Sequence, residues 1–514
     1  MEVRPNVDRG HPSCRAGDRV ALGDSVLILS LFALLMITYG FELFNVSLNA
    51  DEAYWATLSR DTLFREAVAG GRWVLALTVL SSPVVVAPAL DLAVGLSGMT
   101  LGLWWMTRRI GGMSLRAAFA TLAVSVCLPW TALNLAFGLN AKAFGVAFVS
   151  LAAYGHLLQE MSHWSTAGAA FAVAVAFGSY EAFGLGALAV LGLCIVLNPT
   201  TRMATRAGLT LAGGITASVA ITAILRIVFR VPANPYVNDA VQGWRRFISE
   251  PFDTLVGALG HVIQSTGLTG SVFGRSLPWL PLLALVVAVA VLRAGLLSGR
   301  SGSRALWLLG LTLVVTGPLI GELAATDLPR RAMVYLPVVC TCLAVIAYRA
   351  FPFSIGLTLA NQFRAIAALC GLLTFGLAAL TSVALESSDL SASRDRHVAF
   401  QIDEQIKLTT PDRGSIPRAV IVMGSEGWRQ NDAFPARELL GLSAFSSTPW
   451  FSASYLKLQG LAVKAPTPQQ YDRAVELLSH MPRYPESGWV KVEEDLVLVR
   501  IDDCPTPQCT VAWP

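Results

Sequence analysis

The feature that most limits what this chain can become is a series of long apolar runs, several of them of bilayer-spanning length. The series begins near residue 21 and continues to about residue 385. Runs of this length fit the hydrocarbon core of a bilayer as helices, because a helix satisfies its backbone donors and acceptors within its own segment. A membrane β-barrel would alternate apolar and polar residues instead. Apolar residues make up 54% of the chain and charged ones 14%, against roughly a quarter charged in soluble domains. The sequence therefore predicts an all-α polytopic membrane protein. Its formal net charge of +4 is small and its basic residues are scattered among loops, which gives no reason to expect a nucleic-acid partner.

The length rule gives about eleven spans. They lie near 21–44, 84–106, 117–133, 143–158, 167–177, 184–197, 207–229, 277–291, 305–320, 332–347 and 365–385. The fifth and sixth are short and read either as two spans or as one kinked pair. The first run is long for the apolar core of a signal peptide and is followed by a poor cleavage site, Ser47-Leu-Asn-Ala50, so it reads as an uncleaved anchor.

Arginine sets the expected orientation. The tail 1–20 carries Arg4, Arg9, Arg15 and Arg19. If it is cytoplasmic, the loops with Arg108, Arg109 and Arg116, with Arg202 and Arg206, with Arg293, Arg300 and Arg304, and with Arg349 and Arg364 are cytoplasmic too. That set satisfies the positive-inside bias. The loop 45–73, the short loop at Glu181, the segments 231–276 and 321–331, and everything from 386 to 514 then face outward. The expected plan is a multi-spanning domain over 21–385 followed by a small extracytoplasmic α/β domain over 386–514. In the latter, SRDRHVAFQIDEQIKLT reads as a helix, RAVIVMGS as a buried strand, TPQQYDRAVELLSHM as a helix with a Thr-Pro start, and WVKVEEDLVLVRI as a hairpin.

Five of the eight cysteines, Cys127, Cys194, Cys340, Cys342 and Cys370, fall in spans and read as small apolar residues. The two in the outer domain are Cys504 and Cys509. An oxidising compartment favours a disulfide between them over a metal site, since no second cysteine pair or histidine lies near.

The candidate chemistry clusters on the outer side. Asp51 and Glu52 adjoin just beyond the first span, followed by Tyr54 and Trp55, then by Arg72. Paired carboxylates can supply a general base, because each charge raises the pKa of the other. Tyr54 and Trp55 suit an aromatic belt or a sugar face, and Arg72 suits a phosphate. The bland alternative is a solvated loop with interfacial aromatics. Glu181, after Tyr180, either faces a cavity or partner or surfaces at a tight turn; a carboxylate at bilayer depth costs roughly 2.5–3.5 kcal/mol on insertion scales. Arg330 and Arg331 run against the positive-inside bias, so they either hold an anionic ligand or balance Glu322 and Asp327. Lys142 is another outer cation, and Asp91 reads as a buried polar partner within the second span. No Walker loop, dinucleotide-binding glycine pattern or HExxH is present.

An acid pair in the first outer loop, many spans and a trailing outer domain resemble the GT-C class of membrane glycosyltransferases. More narrowly, NADEAYW with the downstream GGRW, GSYEAF and LPRRAMVYLP resemble segments of the GtrII-like family. The resemblance implies a glycosyltransferase on the outer face of the bacterial inner membrane. It would move a hexose from a polyprenyl-phosphate donor to a surface glycan or lipid-linked acceptor, as in O-antigen modification. It also implies Asp51 or Glu52 as base and places Arg72, Arg330 and Arg331 near the phosphate. No nucleotide cofactor is needed, and a divalent metal is an open alternative that no ligand cluster in the sequence argues for. The acid pair here is Asp-Glu where the resemblance leads one to expect Asp-Asp, and Glu181 stands where Gln is expected. Two rivals remain: a transporter or flippase using Asp91 and Glu181, and a polymerase or ligase of lipid-linked glycans using Arg245 and Arg246.

Overall fold

A computed structural model describes residues 22–44, 50–82, 87–135, 138–160, 162–234, 245–266, 268, 271–272, 275–276, 280–281, 288, 301–325, 330–350, 359–409, 418–424, 443–445 and 449–502. The first apolar run forms α1 (Leu22–Phe44). The segment that follows is helical: it holds α2 (Ala50–Thr57), α3 (Arg60–Ala69) and the short α4 (Trp73–Ser81). Then come α5 (Pro88–Trp105), extended by a π turn to Ile110, α6 (Leu115–Val126), α7 (Pro129–Leu135) and α8 (Gly138–Gln159). The expected span at 117–133 is thus broken at Cys127–Leu128, ahead of Pro129, whose ring cannot continue an α-helix.

The short pair resolves into two helices, α9 (His163–Ser179) and α10 (Phe183–Leu197). Next are α11 (Thr201–Phe229), α12 (Pro251–Ser265), α13 (Ser301–Ala325), a 3-10 turn at Arg330–Tyr335, α14 (Leu336–Ala350) and α15 (Leu359–Thr409). Among the described residues, six helices are long and apolar enough to cross a membrane: Pro88–Ile110, Asn140–Gln159, Thr201–Phe229, Arg304–Leu323, Ala332–Arg349 and Ala368–Thr409. Most of the span expected at 277–291 lies outside the described residues.

Helices α5 and α8 cross in close contact. A Cβ on Gly98 would stand 2.5 Å from the Gly145 Cα, so the two backbones touch where both residues lack side chains. Small residues at such crossings let apolar helices gain dispersion contact without a hydrophobic driving force. Gly95 meets Ala141 and Gly102 meets Phe148, so sequence numbers rise together and the two helices are parallel. That arrangement requires α6 and α7 to return the chain between them.

Loop contacts sort into two ends of the bundle. At one end, Arg349 Nε donates to the Gly111 carbonyl at 2.9 Å, and Arg206 reaches the Leu157 and Leu158 carbonyls and Ser165. At the other end, Arg226 donates to the Ala69 carbonyl at 2.6 Å and Arg65 to the Phe229 carbonyl at 2.9 Å. Each end gathers loops that the arginine pattern assigns to one side.

Helix α15 runs unbroken for 51 residues through positions 385 and 386, about 77 Å at 1.5 Å per residue. Its far end joins a four-stranded sheet with order β4-β3-β6-β5. The strands are β3 (Arg418–Met423), β4 (Val463–Lys464), β5 (Val490–Glu493) and β6 (Leu496–Arg500). Strand β3 is parallel to β4 and β6, and β5 is antiparallel to β6. Two further helices, α16 (Pro449–Leu458) and α17 (Pro468–Ser479), cover this sheet. Helix α17 starts with a reciprocal capping box between Thr467 and Gln470. The two-residue period of β3 divides its side chains between faces. Ala419 and Ile421 pack with Ala474 and Leu478 of α17, whereas Val420 packs with Val398 and Ile402 of α15 and Leu456 of α16.

Candidate active site at one end of the bundle

The helical loop is held by its own turns and by α11. Ser59 caps α3 by accepting the Thr62 N–H at 3.1 Å. Gly71, at φ +81°, reverses the chain in a conformation that favours glycine. The Arg72 N–H then closes back on the Ala67 carbonyl at 2.8 Å. From α11, Arg226 donates to the Val68 and Ala69 carbonyls at the end of α3, where a cation also suits the helix dipole. Trp73 Nε1 donates to Ser218 Oγ at 2.9 Å. These contacts fix where the Arg72 side chain starts.

Arg72 donates through Nη2 to Glu181 Oε1 at 3.2 Å and through Nε to Oε2 at 3.3 Å. Its Cζ lies 4.6 Å from the centroid of the Tyr180 ring, a cation–π distance. Phe144 supports Tyr180 from behind, with ring centroids 5.5 Å apart. Three residues singled out in the sequence, Arg72, Tyr180 and Glu181, therefore meet in one cluster. The Glu181 side chain is 45% exposed and that of Arg72 22%, so the carboxylate is the wetter partner.

Asp51 and Glu52 lie on α2, and their side chains are outside the described residues. The helix itself is anchored on the sheet domain. Ala53 is fully buried in the core formed by α15, α16 and the sheet. The Tyr54 ring meets Phe451 edge-on with centroids 5.4 Å apart, and Thr57 Oγ1 donates to Ser454 Oγ at 3.3 Å. Trp55 packs against a buried cluster that includes Leu63, Phe64, Val68, Leu75 and Ala143. Both aromatics are thus engaged in seating α2. Burial pushes the Tyr54 phenol pKa up, and the Glu66 charge adds to the rise, so Tyr54 stays a neutral hydroxyl at ordinary pH.

Lys142 has internal partners. Its Nζ stands 2.7 Å from Asp91 Oδ1 and donates to Ser82 Oγ at 3.0 Å, while Asp91 Oδ2 accepts the Ala87 N–H at 3.2 Å. The Lys142–Asp91 approach falls short of an aligned hydrogen bond and is an ion pair by distance. The Asp91 side chain is fully buried and that of Lys142 is 15% exposed. The charge of Lys142, a candidate outer cation in the sequence, thus faces a buried carboxylate.

Arg330 and Arg331 open the 3-10 turn Arg330–Tyr335, and their side chains are outside the described residues. Cys504 and Cys509 also lie outside them. Sequence reasoning passed over His261. Its Nδ1 is 2.7 Å from Glu322 Oε2, and this contact ties α12 to α13. The available signal was the apolar stripe Phe252, Val256, Leu259 and Ile263, which places His261 among the polar residues of the opposite face. Among the described residues, no three His, Cys, Asp or Glu side chains gather as a metal site.

Comparison with protein-family models, with curated proteins and with solved structures finds no match. The functional reading therefore rests on these residues and their geometry.

Proposed function

We propose that the chain is a membrane glycosyltransferase of GT-C plan, with about eleven spans and its sheet domain outside the bacterial inner membrane. It moves a hexose from a polyprenyl-phosphate donor to a surface glycan or lipid-linked acceptor. The observation that carries this reading is the Arg72–Tyr180–Glu181 cluster, whose arginine ends the helical loop that also holds α2 with Asp51 and Glu52. A guanidinium presented to a bidentate oxyanion suits a phosphate, and an adjacent acid pair suits proton removal.

In the proposed reaction the acceptor hydroxyl attacks the anomeric carbon and gives its proton to Asp51 or Glu52. The new bond joins the acceptor oxygen to that carbon. The bond that breaks joins the carbon to the donor phosphate, which leaves with the electron pair. Arg72 and the two arginines of the 330–335 turn stabilise that charge as it develops. The docking of α2 on α16 through Ala53, Tyr54 and Thr57 supports the reading by giving the acid pair a rigid mounting.

The test is transfer itself. Purified protein in proteoliposomes is supplied with radiolabelled polyprenyl-phosphate hexose and the host's lipid-linked glycan, and surface polysaccharide is weighed by mass spectrometry with and without the gene. Label passing to the glycan, and a hexose mass lost on deletion, are the expected results. An unchanged polysaccharide together with unconsumed donor overturns the reading.

A further inference from the structure

We infer that Glu181 holds the phosphate position on Arg72, and that the anionic ligand of this site binds by displacing it. The inference rests on the reading of Arg72 as a phosphate-holding residue and adds how that residue is kept and released. The ligand chemistry it names is a phosphate monoester, the polyprenyl monophosphate that the proposed transfer leaves behind, two of whose oxygens take the bidentate place of the Glu181 carboxylate.

The two halves of the cluster are held unequally. Arg72 is fixed along its length: its N–H is bonded to the Ala67 carbonyl, its neighbour Trp73 is bonded to Ser218, and its guanidinium rests on the Tyr180 ring. Glu181 stands in the turn between α9 and α10 and is the more exposed partner. Its two contacts, at 3.2 and 3.3 Å, are long for charge-assisted hydrogen bonds. A half-exposed ion pair of this kind is weak and screened by salt. A phosphate dianion carries more charge and matches the guanidinium fork as well as a carboxylate does. The fork therefore stays in place while its occupant exchanges, and the expelled carboxylate remains close enough to repel the newcomer. Without a ligand, the same carboxylate keeps the guanidinium oriented and neutralised.

This arrangement makes an opposite prediction from a supporting role. If Glu181 only orients Arg72, removing its charge weakens anion binding. If it competes, removing its charge strengthens binding.

The experiment measures binding of a polyprenyl monophosphate to full-length protein in nanodiscs. The matching polyprenol, inorganic phosphate and phosphatidylglycerol vesicles serve as separate arms. Glu181→Gln is expected to tighten monophosphate binding about two- to tenfold, the range for losing a weak competing pair. Arg72→Gln is expected to weaken it at least about tenfold, and the double variant should match Arg72→Gln. The polyprenol should show no dependence on either residue. Tightening with inorganic phosphate alone identifies a free anion as the ligand, and tightening with phosphatidylglycerol identifies a bulk lipid headgroup. Unchanged or weaker monophosphate binding in Glu181→Gln, with Arg72→Gln still defective, overturns the displacement while leaving the phosphate role of Arg72 intact. Binding that ignores Arg72 overturns both. Transfer activity is not used, so a failure of sugar transfer would be read separately.

Discussion

Lys142 and Asp91 face each other at 2.7 Å between α8 and α5, and the Asp91 side chain is completely buried. Two consequences follow from that burial. A charged carboxylate away from water needs its counter-ion, and truncating one member of a buried pair typically costs about 3–5 kcal/mol. Lys142→Ala should therefore lower thermal stability sharply in detergent, because Asp91 is left without its cation. Replacing both residues with apolar ones of similar size, Asp91→Leu with Lys142→Met, should recover most of the loss. A Lys142→Ala variant as stable as the parent would show that the lysine charge is available for a ligand after all.

The contact of α5 with α8 predicts a steep size limit at Gly98. A leucine there must push two backbones apart, and overpacking typically costs about 1–3 kcal/mol, occasionally more. Gly98→Leu should reduce the monodisperse fraction on size exclusion and lower the melting temperature. Gly213→Ala on α11, where an added Cβ meets nothing within 4 Å, should be neutral or slightly stabilising. Equal behaviour of the two variants would remove the close approach as a determinant of the bundle.

The helical plan was legible because bilayer-length apolar runs, Pro129 aside, leave few alternatives. The β3 strand and the β5–β6 hairpin were legible from short runs rich in valine and from alternation, and α17 from its Thr-Pro start. Two features were hidden. The acid-bearing loop reads as a loop because it is short and polar, yet it folds as α2 and α3; its stabilising partners, Phe451, Ser454 and Arg226, are far away in sequence. The pairings of Arg72 with Glu181 and of Lys142 with Asp91 were hidden for the same reason. Sequence gives each charge and its side of the membrane, whereas pairing depends on which helices pack together.

Orientation is tested by site-resolved labelling of intact cells with a membrane-impermeant maleimide, read by mass spectrometry. Cysteines placed at Asp61 in α3 and at Lys457 in α16 should label without permeabilisation. One at Arg202, at the other end of the bundle, should label only after it. Protection of both Asp61 and Lys457 positions, with Arg202 exposed, would invert the topology and remove the donor side from the proposed reaction.

The sheet domain carries a pH-sensitive tie. Asp495, in the β5–β6 turn, accepts from Gln470 and Arg473 of α17, and these contacts hold its carboxyl below the ordinary range. A depressed folded-state pKa contributes stability that is present above the unfolded value, about 4, and is lost as pH falls through the folded value. Asp495→Asn should therefore lower the melting temperature of the sheet domain at pH 6, and the gap to the parent should close as pH falls below about 4. The pair is half exposed, so high salt should shrink the gap as well. A gap that does not change with pH would assign the effect to packing instead.

Asp51 and Glu52 carry the most exposed claim of the proposed function. They follow each other on a two-turn helix. One of them can be the base while the other orients the acceptor. Ala53 and Tyr54, immediately after them, are seated on the sheet domain, so α2 should keep its position when a charge is removed. Asp51→Asn and Glu52→Gln preserve shape and delete charge. Loss of a general base usually costs about a hundred- to ten-thousandfold in rate. At least one of the two should lose transfer on that scale with normal membrane insertion, and its residual rate should lose the pH dependence of the parent. Asp51, nearer the end of α1, is the expected base. Ala53→Leu supplies the contrast: it keeps both acids but disturbs their mounting, so it should slow transfer while leaving the pH profile in place. If both amide variants and their double retain near-normal transfer, the acid pair is a solvated part of the loop, and the glycosyltransferase reading loses its chemical basis.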